Sequence, residues 1–216
     1  MGMKAISTNK YPLSNKFEID RKINPISNDI KHNLNLKDES LFLITDNPIG
    51  NMIAIIDNAL SDDHFKEFKD TIDLFLALKA ETLWFELGIY EDPHIRKLLH
   101  LASKYIDLSK VVGYEAWTHN NTIPIGDNDD GWHKDRDELS YHVRKIFRFP
   151  VCSIVFYTEI KDLQGGELIV EDTIITPKEN RLVLFGPGYN HKVNEFEGTR
   201  VSLSINPWKR KLDSYA

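Results

Sequence analysis

From Val111 to Trp208 the chain is a succession of short apolar runs, VVGYEAW, FPVCSIVFYTEI, GELIVED, TIIT, RLVLFG, HKVNEF and RVSLSINPW, separated by GDNDDG, LQGG, PKEN, GPG and EGT. Runs this short, rich in Val, Ile, Tyr and Phe and bounded by Gly, Pro, Asn and Asp, read as strands that must pair with one another to bury a face. A sandwich, a jelly roll or a barrel is therefore expected over about residues 111–208. Upstream the period changes. Ser61 can cap a helix starting at about Asp62, whose apolar residues Phe65, Phe68, Ile72, Phe75 and Leu76 recur at helical spacing. Asp92 and Pro93 supply a cap and a first helical position for a second helix with a stripe of Ile95, Leu98, Leu99, Ala102 and Ile106. The expectation is a mainly β, α+β chain: helices over about 62–106, then a β core backed by them.

Length and composition limit the rest. The chain has 216 residues, of which 41% are hydrophobic, enough for one sizeable core. Residues 1–40, rich in Asn, Lys, Ser and Pro, read as an extended N-terminal arm, and 41–216 as a single domain. The one cysteine, Cys152, sits in an apolar run and reads as a small buried hydrophobe that suits a reducing compartment. No apolar run approaches the length of a membrane span, and the first residues lack the apolar centre of a signal peptide, so a cytoplasmic protein without membrane contact is expected. The net charge of -6 argues against stable nucleic-acid binding, which needs an excess of Lys and Arg. Local basic clusters around Arg144, Lys145 and Arg148, and at Lys209, Arg210 and Lys211, read as solvated faces.

The chemistry is sought in GWHKDRDE. If this stretch is extended, His133 and Asp135 point to one side about 6.5–7 Å apart and can reach a common ion. A third ligand is available in His191, at the start of a strand after the turn GPGYN. Two histidines and one carboxylate that leave other positions open suit non-haem Fe(II) oxygen chemistry. Nine residues after His191, Arg200 stands in an otherwise apolar strand, where a permanent charge needs a carboxylate partner.

These residues make the sequence resemble the Fe(II)- and 2-oxoglutarate-dependent dioxygenases, within them the prolyl 4-hydroxylase-like group. The resemblance runs from about Ile53 to Trp208 through IAIIDNALSDDHFKEF, HKD, GGELIV, RLVLFGPGYNH and HKVNEFEGTRVSLSINPW, the last with Gly198, Arg200 and Trp208 at family spacing. It implies a double-stranded β-helix, the jelly-roll or cupin-like core, and iron held by His133, Asp135 and His191. It implies further that Arg200 pairs with the distal carboxylate of 2-oxoglutarate, with Tyr157 beside it and Tyr114, Ser202 and Ser204 as additional cosubstrate contacts. Trp117, His119 and His142 are rivals for places near the metal. The implied reaction consumes 2-oxoglutarate and O2, with ascorbate as a stimulant, releases succinate and CO2, and hydroxylates a C–H bond.

The substrate expected from that resemblance is a peptide or protein side chain, proline first. Rival readings are a small metabolite or a nucleic-acid base as substrate, or a non-enzymatic cupin-like metal-binding or sensing domain. Arg200 and Tyr157 speak against the last, since such a domain has no need of a dicarboxylate clamp. The turn-rich loop from Thr122 to Gly131 leads into His133 and is expected to act as a lid.

Overall fold

The computed structural model describes residues 41–45, 52–77, 82–89, 92–119 and 131–215. The expected arm over residues 1–40, the expected lid apart from Gly131, and the side chains of Ile72, Phe75 and Leu76 lie outside the described residues. The elements run β1 (Leu41–Thr45), β2 (Met52–Ile56), α1 (Asp62–Ala77), β3 (Leu83–Glu86), α2 (Pro93–Ala102), β4 (Gly113–His119), α3 (Glu138–Arg144), β5 (Ser153–Gly165), β6 (Leu168–Val170), β7 (Thr173–Ile175), β8 (Leu182–Phe185), β9 (His191–Val193) and β10 (Phe196–Trp208). They build a seven-stranded antiparallel sheet, β1-β2-β8-β5-β10-β4-β3, and a three-stranded one, β7-β6-β9. The chain is mostly β, with a jelly-roll core backed by helices.

Strand alternation divides the core in two. On one face of the large sheet, Tyr114, Ala116, Ile154, Phe156, Leu182, Leu184, Leu203 and Ile205 meet the helices. Phe65 and Phe68 of α1 set their rings edge-on to Phe156 at 6.0 and 5.3 Å, an arrangement favoured by the ring quadrupole. The α2 cap forms as its sequence requires: the Asp92 carboxylate accepts from the N–H groups of His94 and Ile95, with Pro93 next to it. That helix ends at Ala102, and Ile106 reaches the core from the turn beyond. On the other face, Ile53, Val155, Tyr157, Val183 and Phe185 pack against Leu168, Val170 and Ile175 of the small sheet. Along β10 the same side carries the buried polar residues Arg200, Ser202, Ser204 and Asn206 in place of apolar ones.

Four elements were not expected from the sequence: β1 and β2 ahead of the first helix, and β3 and α3. β3 pairs with β4 from Leu83↔Ala116 to Glu86↔Gly113, inside the region expected to be helical. α3 is capped by Asp137, which accepts from the Ser140 N–H, and lies in a charged stretch too short to show a period. Cys152 is buried just before β5, and burial pushes its thiol up to about 12, which keeps it protonated. No helix among the described residues is long and apolar enough to cross a membrane.

Candidate metal centre

His133 and His191 are joined through their backbones. Each N–H donates to the other's carbonyl, at 3.0 and 2.9 Å, so the segment before α3 is stitched to the start of β9 by a single bridge. Asp135 follows two residues on. Ligand atoms of His133, Asp135 and His191 all lie within 4.8 Å of one another, the spacing a single ion can span. Among the described residues this is the one group of three metal-ligating side chains.

The hydrogen bonds fix which ring nitrogens face the centre. His133 Nδ1 lies 3.0 Å from the Gly131 carbonyl and His191 Nδ1 3.1 Å from that of Tyr189. A carbonyl only accepts, so in the neutral ring the proton sits on Nδ1 and Nε2 keeps its lone pair. Burial favours the neutral form and draws His191 down to about 4, with His133 adding to the effect and Asp135 opposing it. Burial pushes the Asp135 carboxyl up, but His191, His133 and hydrogen bonds from Ser153 and Asn206 outweigh it and hold the group below its ordinary range. The Ser153 hydroxyl donates at 2.5 Å. Two imidazoles that each turn Nε2 to a common point beside a carboxylate are a donor set that suits a divalent iron, so the residues fit Fe(II).

β10 extends the site away from the ligands. Its register sets Ser202 between His119 and Tyr157, and Ser204 between Trp117 and Val155. A bulge at Thr158 shifts the β5 pairing and brings Tyr157, Ser202 and Arg200 to the same side. Arg200 is 3% exposed. Its Nε donates to the Gly166 carbonyl at 3.0 Å, Nη1 to Ser202 Oγ at 3.3 Å and Nη2 to the Tyr157 hydroxyl at 3.4 Å, while the guanidinium lies 5.0 Å from the Tyr157 ring centre. Every one of those partners is neutral. Among the described residues no carboxylate pairs with this buried cation. Burial raises the Tyr157 phenol, against the pull of Arg200, so it stays a protonated donor.

His119 faces the same space. The Trp117 indole N–H, which can only donate, lies 2.5 Å from His119 Nε2, so the neutral ring carries its proton on Nδ1. Burial lowers this histidine to about 4, and the Arg200 guanidinium adds to the effect. Glu115 is next in the row, bonded by the Trp208 indole at 3.0 Å and the Tyr215 hydroxyl at 3.3 Å. Burial lifts its carboxyl to about 7 against those donors, and Asp135 contributes to the rise.

The sequence-derived set is thus divided. His133, Asp135 and His191 converge; Arg200, Tyr157 and Ser202 form a second group on the same side, with Ser204 further along β10. Tyr114 does not join them: it points to the helix side and stacks on Phe85 at 5.2 Å, because alternation turns Glu115, Trp117 and His119 inward instead. His142 lies elsewhere, its Nε2 3.1 Å from a carboxylate oxygen of Glu138 on α3. Ser153 and Asn206, which support Asp135, were not singled out from the sequence. A polar residue at every second position of SLSIN was the available signal.

NgTET1 in complex with 5mC DNA superposes with a TM-score of 0.52 at 13% identity, over 79% of this chain and 77% of its own. The chain has the fold of the 2OG-Fe(II) oxygenases. The viral collagen prolyl hydroxylase vCPH from Paramecium Bursaria Chlorella virus-1 is also similar, at 18% identity and a TM-score of 0.49 over 79% of this chain and 97% of that one. So is a Pseudomonas putida prolyl-4-hydroxylase, at 16% identity and 0.48 over 75% and 94%. No family model matches the sequence, and no curated protein matches it. At these identities the likeness to oxygenases is one of fold.

Proposed function

We propose that this chain is an Fe(II)- and 2-oxoglutarate-dependent dioxygenase that hydroxylates a peptide or protein side chain, proline first. The observation that carries the reading is Arg200: a buried guanidinium whose partners among the described residues are all neutral, on the same side of the sheet as a two-histidine, one-carboxylate group. Leaving a charge buried and unpaired is costly, and a dicarboxylate cosubstrate would relieve that cost at the moment of binding. A cupin-like binding domain has no use for such a residue.

In this reading His133, Asp135 and His191 hold the iron. Arg200, with the Tyr157 and Ser202 hydroxyls, binds the distal carboxylate of 2-oxoglutarate, and Ser204 lines the space beside it. His119, kept neutral with its proton on Nδ1, offers one further donor there. Bound iron, 2-oxoglutarate and O2 together supply the oxidation of a C–H bond, with release of succinate and CO2. The protein orients and shields. The Phe185 ring, 4.8 Å from that of His191, and the neighbouring Val155 and Val183 give the centre a dry wall that limits water access. Ser153 and Asn206 hold Asp135 in one orientation, as outer hydrogen-bonding partners do for metal ligands. The net charge of -6 favours a peptide over a polyanion as substrate.

The test is succinate formation from 2-oxoglutarate with Fe(II) and ascorbate. His133→Ala or Asp135→Ala should remove it by about 100-fold or more while thermal unfolding stays nearly unchanged, because open catalytic sites add less to folding than closed structural ones. Full activity in either variant after iron is resupplied rules the site out. Absence of succinate in the unaltered protein, with or without peptide, returns the chain to the binding-domain reading.

A further inference from the structure

The face shared by β4 and β10 holds a second ionisable group without a counter-ion. Glu115 stands on β4 opposite Asn206, and its carboxylate accepts from neutral donors, the Trp208 indole at 3.0 Å and the Tyr215 hydroxyl at 3.3 Å. Among the described residues no Lys, Arg or His forms an ion pair with it. Those two donors do not offset its burial, since the carboxyl stands raised to about 7; a cation beside it would bring it down. Its register partner shows a matching want. Asn206, 3% exposed, donates from its amide to Asp135, and its Oδ1 has no partner among the described residues. Paired residues on one face of antiparallel strands hold their Cβ atoms about 4.5–5.5 Å apart. A carboxylate without a cation and an amide oxygen without a donor are therefore neighbours, and both call for a group that donates hydrogen bonds.

Position separates this want from the one at Arg200. Glu115, Trp117 and His119 are partly exposed while Tyr114, Ala116 and Thr118 alternate with them and are buried, so solvent reaches the site side of β4. Arg200 and Asn206 lie six positions apart on β10, about 20 Å at the rise of a strand, too far for one small dicarboxylate to serve both. Asn206 is at the metal-ligand end, since it bonds Asp135, and Asp135 is close enough to act on Glu115 through its charge. A ligand at Glu115 therefore lies beside the ion, away from the cosubstrate clamp. Trp117 stands two positions from Glu115 on the same side of β4, about 6.5–7 Å along the strand, and opposite Ser204. Indole is the side chain that best attracts an ammonium or a guanidinium. A carboxylate, an amide oxygen and a tryptophan suit a cation that carries several N–H groups, whereas a phosphate would meet like charge from Glu115 and Asp135.

We propose that Glu115, with Trp117 and the Asn206 amide, receives an arginine or lysine side chain next to the residue that is oxidised, so that the substrate is a basic peptide. The proposal rests on the oxygenase reading for what happens at the iron, but binding is measured without turnover. The probe is a fluorescein-labelled peptide, Gly-Pro-Arg-Pro-Gly with an amidated end, titrated by anisotropy against the full chain with Fe(II) and 2-oxoglutarate under nitrogen. Comparison probes carry lysine, glutamine or glutamate in place of the arginine, and free arginine serves as a competitor. The arginine and lysine peptides should bind about tenfold or more tightly than the glutamine peptide, and the glutamate peptide weakest. Glu115→Gln, which keeps the shape of the side chain, should abolish that preference while the glutamine peptide binds as before, with thermal unfolding confirming the fold. Failure of the arginine peptide to bind, equal binding of the arginine and glutamine peptides, or a preference that survives Glu115→Gln would each overturn the proposal. Free arginine competing as well as the peptide would overturn it too, by making the ligand a small molecule. The first two outcomes are read on the unaltered protein and need no variant to fold. Succinate formation without peptide reports on the oxygenase reading alone, so the two ideas fail separately.

Discussion

Replacing Arg200 with Met should separate two quantities that a structural arginine would move together. In the cosubstrate-free protein the substitution removes one well-formed hydrogen bond, Nε to the Gly166 carbonyl at 3.0 Å, and two long ones at 3.3 and 3.4 Å to hydroxyls. Bonds of this kind to a charged group contribute about 1.5 to 3 kcal/mol each at best, and the long ones less. The same substitution relieves the desolvation of a guanidinium that is 3% exposed and has no carboxylate partner among the described residues, a cost of several kcal/mol. The terms oppose each other, and the unfolding free energy should change by less than about 2 kcal/mol. With 2-oxoglutarate the balance tips. Its distal carboxylate would be left with the Tyr157 and Ser202 hydroxyls, and truncating one partner of a buried charge pair costs about 2 to 5 kcal/mol, or roughly 30-fold to several-thousand-fold in half-saturating 2-oxoglutarate. Urea denaturation gives the first number, succinate formation against 2-oxoglutarate concentration the second, and metal titration a third that should not move. A large loss of stability with unchanged 2-oxoglutarate dependence would refute the reasoning and make Arg200 a structural residue.

Two further predictions concern stability. The Glu115 carboxyl is raised from 4.5 to about 7, so between those values the folded chain keeps a proton that the unfolded chain has released. Stability should therefore be highest below about pH 4.5 for this group, fall as pH rises to about 7, and change no further, a total of about 3 kcal/mol. Glu115→Gln should flatten that fall in urea denaturation of the metal-free protein, and an unchanged slope would show that the group is not so perturbed. Gly198, at φ +94, has no room for a Cβ, which would collide with the Asp162 carbonyl oxygen. Gly198→Ala should lower stability by at least about 2 kcal/mol and raise the 2-oxoglutarate requirement by displacing Arg200 two residues on. Gly88, at φ +82 with nothing within 4 Å of an added Cβ, is the control: its alanine variant should cost about 1 kcal/mol, and equal losses at the two positions would remove the steric argument.

The sequence made legible what depends on neighbours along the chain and hid what depends on partners across the sheet. The α2 cap, the spacing of His133 and Asp135, and the charge of Arg200 in an apolar strand are local, and each could be read directly. Tyr114 shows the limit. A strand alternates with period two, so GYEAWTH offers either Tyr114, Ala116 and Thr118 or Glu115, Trp117 and His119 to the site, and the sequence of β4 alone does not choose. The choice is made by pairing with β10, where Ser202 stands opposite His119 and Asn206 opposite Glu115, residues more than eighty positions away. β10 carries its own answer, because Arg200, Ser202, Ser204 and Asn206 are polar at alternate positions while Val201, Leu203 and Ile205 are not. One face of that strand must therefore meet something polar, and whichever phase of β4 shares that face inherits the site. The same logic explains Ser153, which opens β5 in line with Val155 and Tyr157 and reaches Asp135 because register, not local pattern, places it there. Gly198 joins the two kinds of information. It looked like family spacing in the sequence; in the fold it is the positive-φ residue at the bulge between Glu197 and Thr199, where β10 passes too close to Asp162 for any side chain before delivering Arg200 to the interior.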